Sequence, residues 1–451
     1  MDRGDGRERM SDVTSERHWT ELFAATEADR AGEPGWLGSL RKTAIARFAE
    51  QGFPTRRDED WRYTNPAPIA KVAWRPAPEA EVSHEALGAF ALPLADGPCI
   101  VFVNGRHAPA LSAADGDPQV VVASFGALLR GDAAPLERAL AAEAAGADGA
   151  FPLLARAFAR DGAWVHVGRD HAADRPISLV FVSVPGAAPS AAHPRFVVTA
   201  APGSRAAVHE IHLTVGAGAQ LSNALGELIA GDNAQLSHVK LVHAGAEAVH
   251  LAKTRLRVLR DARIASTLIS LGARIARHDV EAVLEAEGAE CALDGLYVAT
   301  DGSHVDVRTL VDHRRPHGTS RELVKGVLAG KSRGIFNGKI VVREGAQKTN
   351  AQQKNENLLL TRDAEVNSKP QLEIEADDVK CSHGSTIGQL DADAIFYLRS
   401  RGIGEREAAA LLTQAFAAQV VETIESEALR ERVLALAQDR IFASGAGGVR
   451  S

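Results

Sequence analysis

A short turn signal returns along the middle of the chain at a nearly constant interval. A Gly, Asp or Asn beside an Ala or Ser occurs in PGSRAAV (Gly203), GAGAQLS (Gly218), GDNAQLS (Asn233), RDARIAS (Asp261), EGAECAL (Gly288), DGSHVDV (Gly302), EGAQKTN (Gly345), RDAEVNS (Asp363) and ADDVKCS (Asp377). The steps are about 14–15 residues or near two or three times that, with one nearer 18. After each turn comes a stretch of roughly alternating side chains rich in β-branched residues. A period sustained over so many steps is the mark of an internal repeat. Hairpins of a sandwich or barrel would space their turns less evenly and favour Asn-Gly or Asp-Gly. A β-solenoid, in which each coil stacks on the last, accounts for the regularity better. The expected coils take about 14–15 residues or a multiple of that.

The flanks read differently. Residues 1–16 are expected to be a disordered tail. Two segments, SERHWTELFAATEADR and GWLGSLRKTAIARFAEQG, carry helical spacing through Trp19, Leu22 and Phe23, then Leu40, Ala44, Ile45 and Phe48. A charged loop, FPTRRDEDWRYTN, follows. Residues 17–164 are therefore expected to form a helical and mixed α/β region, with short strands in CIVFVNG and PQVVVAS. Residues 165–403 form the solenoid core. Residues 404–445 form a helical C-terminal domain with two amphipathic stripes. One runs through Ala408, Leu411, Leu412, Ala415, Phe416, Val420 and Ile424, the other through Leu429, Val433, Leu436 and Ile441.

Composition excludes several classes of function. A net charge of -7 and an aromatic content of 5% give no electrostatic or stacking case for nucleic acid. No apolar run approaches a membrane span, and the charged start has no secretory h-region, so a cytoplasmic location is expected. GVLAGKS (Gly326 to Ser332) has three residues between its glycines where a P-loop has four, so no nucleotide is expected on this chain. HEIH (His209 to His212) is one residue short of a zinc-protease motif, and on a strand its histidines face opposite ways. No G-x-S-x-G elbow is present.

The three cysteines, Cys99, Cys291 and Cys381, are far apart and form no C-x-x-C pair. Cys381 stands out because KCSHG puts His383 two residues away. On a strand the two would project from one face, with Ser382 on the other. A thiolate and an imidazole side by side are two ligands for a soft metal, or a nucleophile and its base, or a buried thiol beside a hydrogen-bonded ring. Two ligands do not close a zinc or iron–sulfur site, so any metal there needs further donors, such as another chain's.

The run IFNGKIVVREGAQKTNAQQKNENLLLTRDAEVNSKPQLEIEADDVKCSHGSTIGQLDADAIFYLRSRGI, 335–403, resembles the SufB/SufD family of iron–sulfur cluster assembly proteins, and its KCSHGSTIGQLD and FYLRSRGI look like the SufD branch. GFPTRRDEDWRYTN is similar to that branch's N-terminal region. The resemblance spans about Trp19 to Ile441. It implies a mainly β fold, a right-handed parallel β-helix between helical ends, which agrees with the β-solenoid read from the repeat. It implies a non-catalytic scaffold subunit that pairs with SufB, docks the SufC ATPase through its C-terminal helices and shares a transient iron–sulfur cluster with SufB. Cys381 and His383 would lie at the SufB interface, with His383 linked to the nascent cluster and the principal cysteine supplied by SufB. Asn355, in QQKNENLLL, stands near where the SufB branch carries that cysteine. A reduced flavin on the assembled complex and a homodimer of the isolated chain stay open. So do two rivals, a SufB-like subunit with its own cysteine and a β-helix carbohydrate-active enzyme. A missing signal peptide and few aromatics count against the enzyme.

Overall fold

The computed structural model describes residues 5–114, 116–144, 149–300 and 302–442. Its centre is a parallel β-solenoid of about eight coils built from two facing sheets. Each coil gives one strand to each sheet. Gln235 lies opposite Arg205 on one side and Arg263 on the other, so a coil spans about thirty residues, two strands and two corners. The turn period in the sequence is thus the half-coil.

The corners explain the turn residues. Gly203, Gly218, Asn233, Asp261, Gly288 and Gly302 all have positive φ. At one corner the backbone N–H of the left-handed residue donates to a carbonyl one coil further on. Gly203 donates to Asp232, Asn233 to Arg260, Asp261 to Glu287 and Gly288 to Pro316. His317 and Lys348 continue the series, donating to Gln347 and Asp378. A lysine does not favour left-handed backbone, so at Lys348 the stacking fixes it. The Gly345 turn bends at Lys348 instead.

Between the sheets lies an apolar core that includes Val208, Leu236, Ile264, Leu284 and Ile340. Outside, both sheets are covered. Helices Glu405–Val421 and Glu427–Phe442 pack on the sheet containing Ile269, Leu271, Leu296 and Val298 through Ala417, Val420, Leu429, Val433 and Ile441. Helices Asp5–Ala25, Gly35–Gln51 and Ala150–Phe158 cover the early coils of the other sheet through Trp19, Phe48 and Phe151. GVLAGKS is the end of strand Thr319–Leu328 and the corner after it. No described helix is long and apolar enough to cross a membrane.

Three sequence expectations change. The backbone is helical from Asp5, where a disordered tail over 1–16 was expected. DGRERMSDVTSER is polar but has no proline, and its Arg, Glu and Met are strong helix formers. Residues 1–4 and the Gly-rich end from 443 lie outside the described residues. Second, the solenoid begins before 165. Strand Cys99–Val103 pairs in parallel with Ile177–Ser183, and Val120–Ser124 caps Ala163–Val167 antiparallel. Third, the first C-terminal helix buries Ala408, Ala409, Thr413, Ala417, Val420 and Val421. Leu411 and Ala415 face outward. The helix is apolar on two faces, and the small residues are the ones that fit closely against the sheet.

Candidate functional site

The last coil ends the molecule differently from the rest. Strand Glu365–Ile374 is the edge of one sheet and Lys380–Gly388 the edge of the other. Neither is covered. Each therefore presents a row of unpaired backbone donors and acceptors. Helix Ala392–Ser400 follows and buries none of its residues. Among the described residues, the exposed large apolar side chains are Val121, Ile374, Ile387, Phe396, Tyr397 and Leu411. All but Val121 belong to this end or to the adjoining C-terminal helix. Phe396 is 72% exposed.

Cys381 and His383 sit on the terminal strand. Their common face points into the mouth of the solenoid. Cys381, half-buried, packs against the interior core, and Ser385 Oγ donates to Ser368 Oγ at 2.7 Å. His383 lies between these two in the alternation and is exposed, and its ring makes no hydrogen bond. Burial pushes the Cys381 thiol up, against a backbone hydrogen bond with Ala351 that favours the thiolate. A bound metal would have to displace that proton. The other two thiols are buried and inert to metals. Burial alone raises Cys99 to about 11, and burial with nearby Glu322 and Asp294 raises Cys291 to about 12. Among the described residues, no group of three His, Cys, Asp or Glu side chains could hold a metal ion. Cys381 and His383 would by themselves supply only two donors, a thiolate and an imidazole, of types that suit iron.

Behind the terminal strand the interior turns polar, which the sequence reading missed. Asn355 is fully buried in strand Asn350–Leu359, in register with Ser385. Its Nδ2 donates to the Val324 carbonyl at 3.0 Å, and its Oδ1 accepts from Asn357 and Ser368, each at 2.7 Å. Tyr297 OH donates to Asn357 at 2.5 Å and closes the chain. In the next row, His383 lies beside Gln353 and Gln353 beside Glu322, in three successive coils. Gln353 Nε2 donates to Glu322 Oε2 at 2.7 Å. Burial raises the Glu322 carboxyl to about 7.

Two further polar clusters lie away from this end. In the middle coils Glu210 is completely buried and accepts from Lys240 at 2.8 Å, with His212 at 2.6 Å and His238 at 3.1 Å. His212 points inward and His209 outward, so HEIH is divided between two faces of its strand. The second cluster explains GFPTRRDEDWRYTN. The preceding helix ends at Gly52, whose φ is 68°, and the loop then straps across the outer face of a sheet. The Trp61 ring lies 3.8 Å from the Arg277 guanidinium, and Arg277 also donates to the Asp60 carbonyl and to Asp306. Asp60 pairs with Arg308, and Thr64 donates to Asp306 at 2.6 Å.

Two family descriptions match the chain. Residues 13–179 match "SufBD protein N-terminal region", and residues 182–416 match "SUF system FeS cluster assembly, SufBD core domain". The iron–sulfur cluster assembly protein SufD of Escherichia coli is 32% identical over 94% of this chain and 96% of its own length. A SufBD-family iron–sulfur cluster assembly protein of Synechocystis is 30% identical, covering 90% and 88%. The SufD protein of Bacillus subtilis is 23% identical, covering 92% and 96%.

Proposed function

Because the chain belongs to the SufB/SufD family and so has a role in iron–sulfur cluster assembly, we propose that it is a non-catalytic scaffold subunit whose open solenoid end pairs with a SufB-type partner. The cluster is cargo, built where the two chains meet. The observation that carries this reading is the terminal coil. Two uncovered parallel edges, an unburied helix and a patch of exposed apolar side chains surround the only cysteine that is not fully buried. An exposed edge beside exposed apolar groups is a hazard in a lone chain and an interface in a complex. A partner strand that extends either sheet would bring its own donors beside Cys381 and His383. Asn355 is tied into the interior hydrogen bonds and cannot serve as a ligand, which supports a principal cysteine from the partner.

The second C-terminal helical face supports docking of an ABC-type ATPase, SufC. Leu411 is 42% exposed and Ala415 lies one turn on. The opposite face of the same helix covers the sheet, so removing the domain would uncover Ile269, Leu271 and Leu296. Point substitutions on the outer face are therefore the suitable probe of docking.

Pairing is tested by co-expressing the chain with its SufB-type partner. Phe396→Asp and Ile387→Asp each place a charge in the patch without touching the buried core. Each is expected to reduce recovery of the pair at least tenfold with an unchanged melting temperature of the isolated chain. Full recovery with both substitutions combined would refute this interface.

A further inference from the structure

The row behind His383 contains an unexplained acceptor. Gln353 is 1% exposed, and its Oε1 has no hydrogen-bond partner. Its Nε2 is committed to Glu322, itself 2% exposed, so the carbonyl end of the amide is directed away from that carboxyl. Buried acceptors are nearly always paired, and an orphan calls for a physical reason. The register supplies one. Gln353 and His383 are direct neighbours on parallel strands, with side chains on the same inward face. Neighbouring strands lie about 4.8 Å apart, well within reach of an imidazole and an amide. The His383 ring is free.

The space for Gln353 is reserved. A Cβ on Gly338, in the facing sheet, would collide with Gln353 Nε2 and with the Phe336 ring. Gly338 has no positive φ, so backbone conformation does not require a glycine there. The missing side chain leaves room for the amide.

We infer that Gln353 is the positioning residue for His383: its side-chain carbonyl accepts one ring N–H, and Glu322 holds the amide in that orientation. A histidine that binds metal through one nitrogen generally donates from the other, which fixes its tautomer and its aim. Here the hydrogen bond would turn the second nitrogen outward, toward the partner and the cargo. This rests on His383 serving the cluster, as proposed above. The hydrogen bond itself belongs to the metal-free chain and can be measured there.

The test is histidine-selective 15N NMR of the full-length protein, with the His383 resonances assigned by difference from His383→Gln. The ratio of the two neutral ring tautomers is read directly. One should dominate in the wild-type chain. Gln353→Leu should reduce the ratio about 3–10-fold, the effect of losing one hydrogen bond. Gly338→Ala, which displaces the amide without deleting it, should do the same and serves if Gln353→Leu folds poorly. Ser385→Ala removes a hydrogen bond from the same strand and should leave the ratio unchanged. An unchanged ratio in both Gln353→Leu and Gly338→Ala, or an equal change in Ser385→Ala, overturns the inference. In the assembled complex, Gln353→Leu should weaken iron affinity about 10–100-fold. Normal iron affinity with a released tautomer would overturn the part of the inference that ties this hydrogen bond to metal binding. Normal cluster content in His383→Ala with the tautomer still fixed by Gln353 would instead defeat the functional reading and leave the hydrogen bond standing.

Discussion

Replacing Lys240 by Met removes the ammonium that pairs with a fully buried carboxylate. Glu210 has no exposure and is held by Lys240, His212 and His238. Burial alone would raise its pKa, but the Lys240 charge and the two histidine hydrogen bonds hold it well below the ordinary value. Burial, with the charges of neighbouring histidines and of Lys240, lowers His250 and His278 well below theirs, so these rings are neutral and cannot replace the lost cation. Breaking a buried pair from one side costs about 3–5 kcal/mol. The pH dependence follows in sign. In the wild type the folded pKa lies below the unfolded one, so this group's stabilisation is complete above the unfolded value of 4.5 and is lost as pH falls through the folded value. In Lys240→Met, burial prevails and the folded pKa moves above 4.5. The variant's deficit is then largest near pH 7 and shrinks toward pH 5, where the carboxyl takes up a proton. Glu210→Gln added to Lys240→Met should recover most of the loss. The assay is urea unfolding followed by circular dichroism at pH 7 and pH 5. A Lys240→Met midpoint within 0.3 M of wild type at pH 7, or a deficit that grows toward pH 5, would refute the reasoning.

Under native conditions a thiol reagent should modify Cys381 alone, and all three cysteines only after unfolding, because Cys99 and Cys291 are buried with raised pKa values. Fast labelling of Cys291 in the folded chain would contradict the packed interior. Trp61→Ala should cost about 1–3 kcal/mol, less than a fully buried aromatic, and raise protease cleavage within 53–65, since the half-buried Trp61 packs on Phe151 and covers Arg277. Unchanged proteolysis would mean that the strap is held by its ion pairs alone. Leu411→Asp should lower ATPase co-purification without shifting the melting temperature. Undiminished capture would remove that helix face from docking.

The fold was legible because the corners repeat. Gly203, Asn233, Asp261 and Gly288 are residues that take left-handed backbone readily, and each marks a corner. His317 and Lys348 occupy equivalent corners without a Gly, Asn or Asp to mark them, and at Lys348 the conformation comes from the coil stacked beside it. The strand spacing of Cys381 and His383 was legible for the same local reason: alternation on a strand needs no tertiary knowledge. The partners of that pair were not. Gln353 and Glu322 lie 30 and 61 positions earlier in the chain, and only the register of three coils brings them into line with His383. The Glu210 cluster was hidden because both sheets are covered on both sides. Polar residues on such strands can face the interior or the helices, and alternation alone does not say which face is wet. The second apolar face of helix Glu405–Val421 was merged with the first, since a helix apolar on two sides gives no single stripe.

The measurement that bears most directly on the central claim is the iron and sulfide content of the complex carrying His383→Ala, taken on the same preparation as its melting temperature and subunit recovery. His383 is exposed, and its ring contributes at most the one hydrogen bond to Gln353, so stability and pairing should stay close to the wild type. Cluster content should fall at least tenfold, because a site with few ligands loses affinity steeply when one is removed. Wild-type iron and sulfide in a stable, fully assembled complex would contradict the claim that this end of the solenoid holds the cluster.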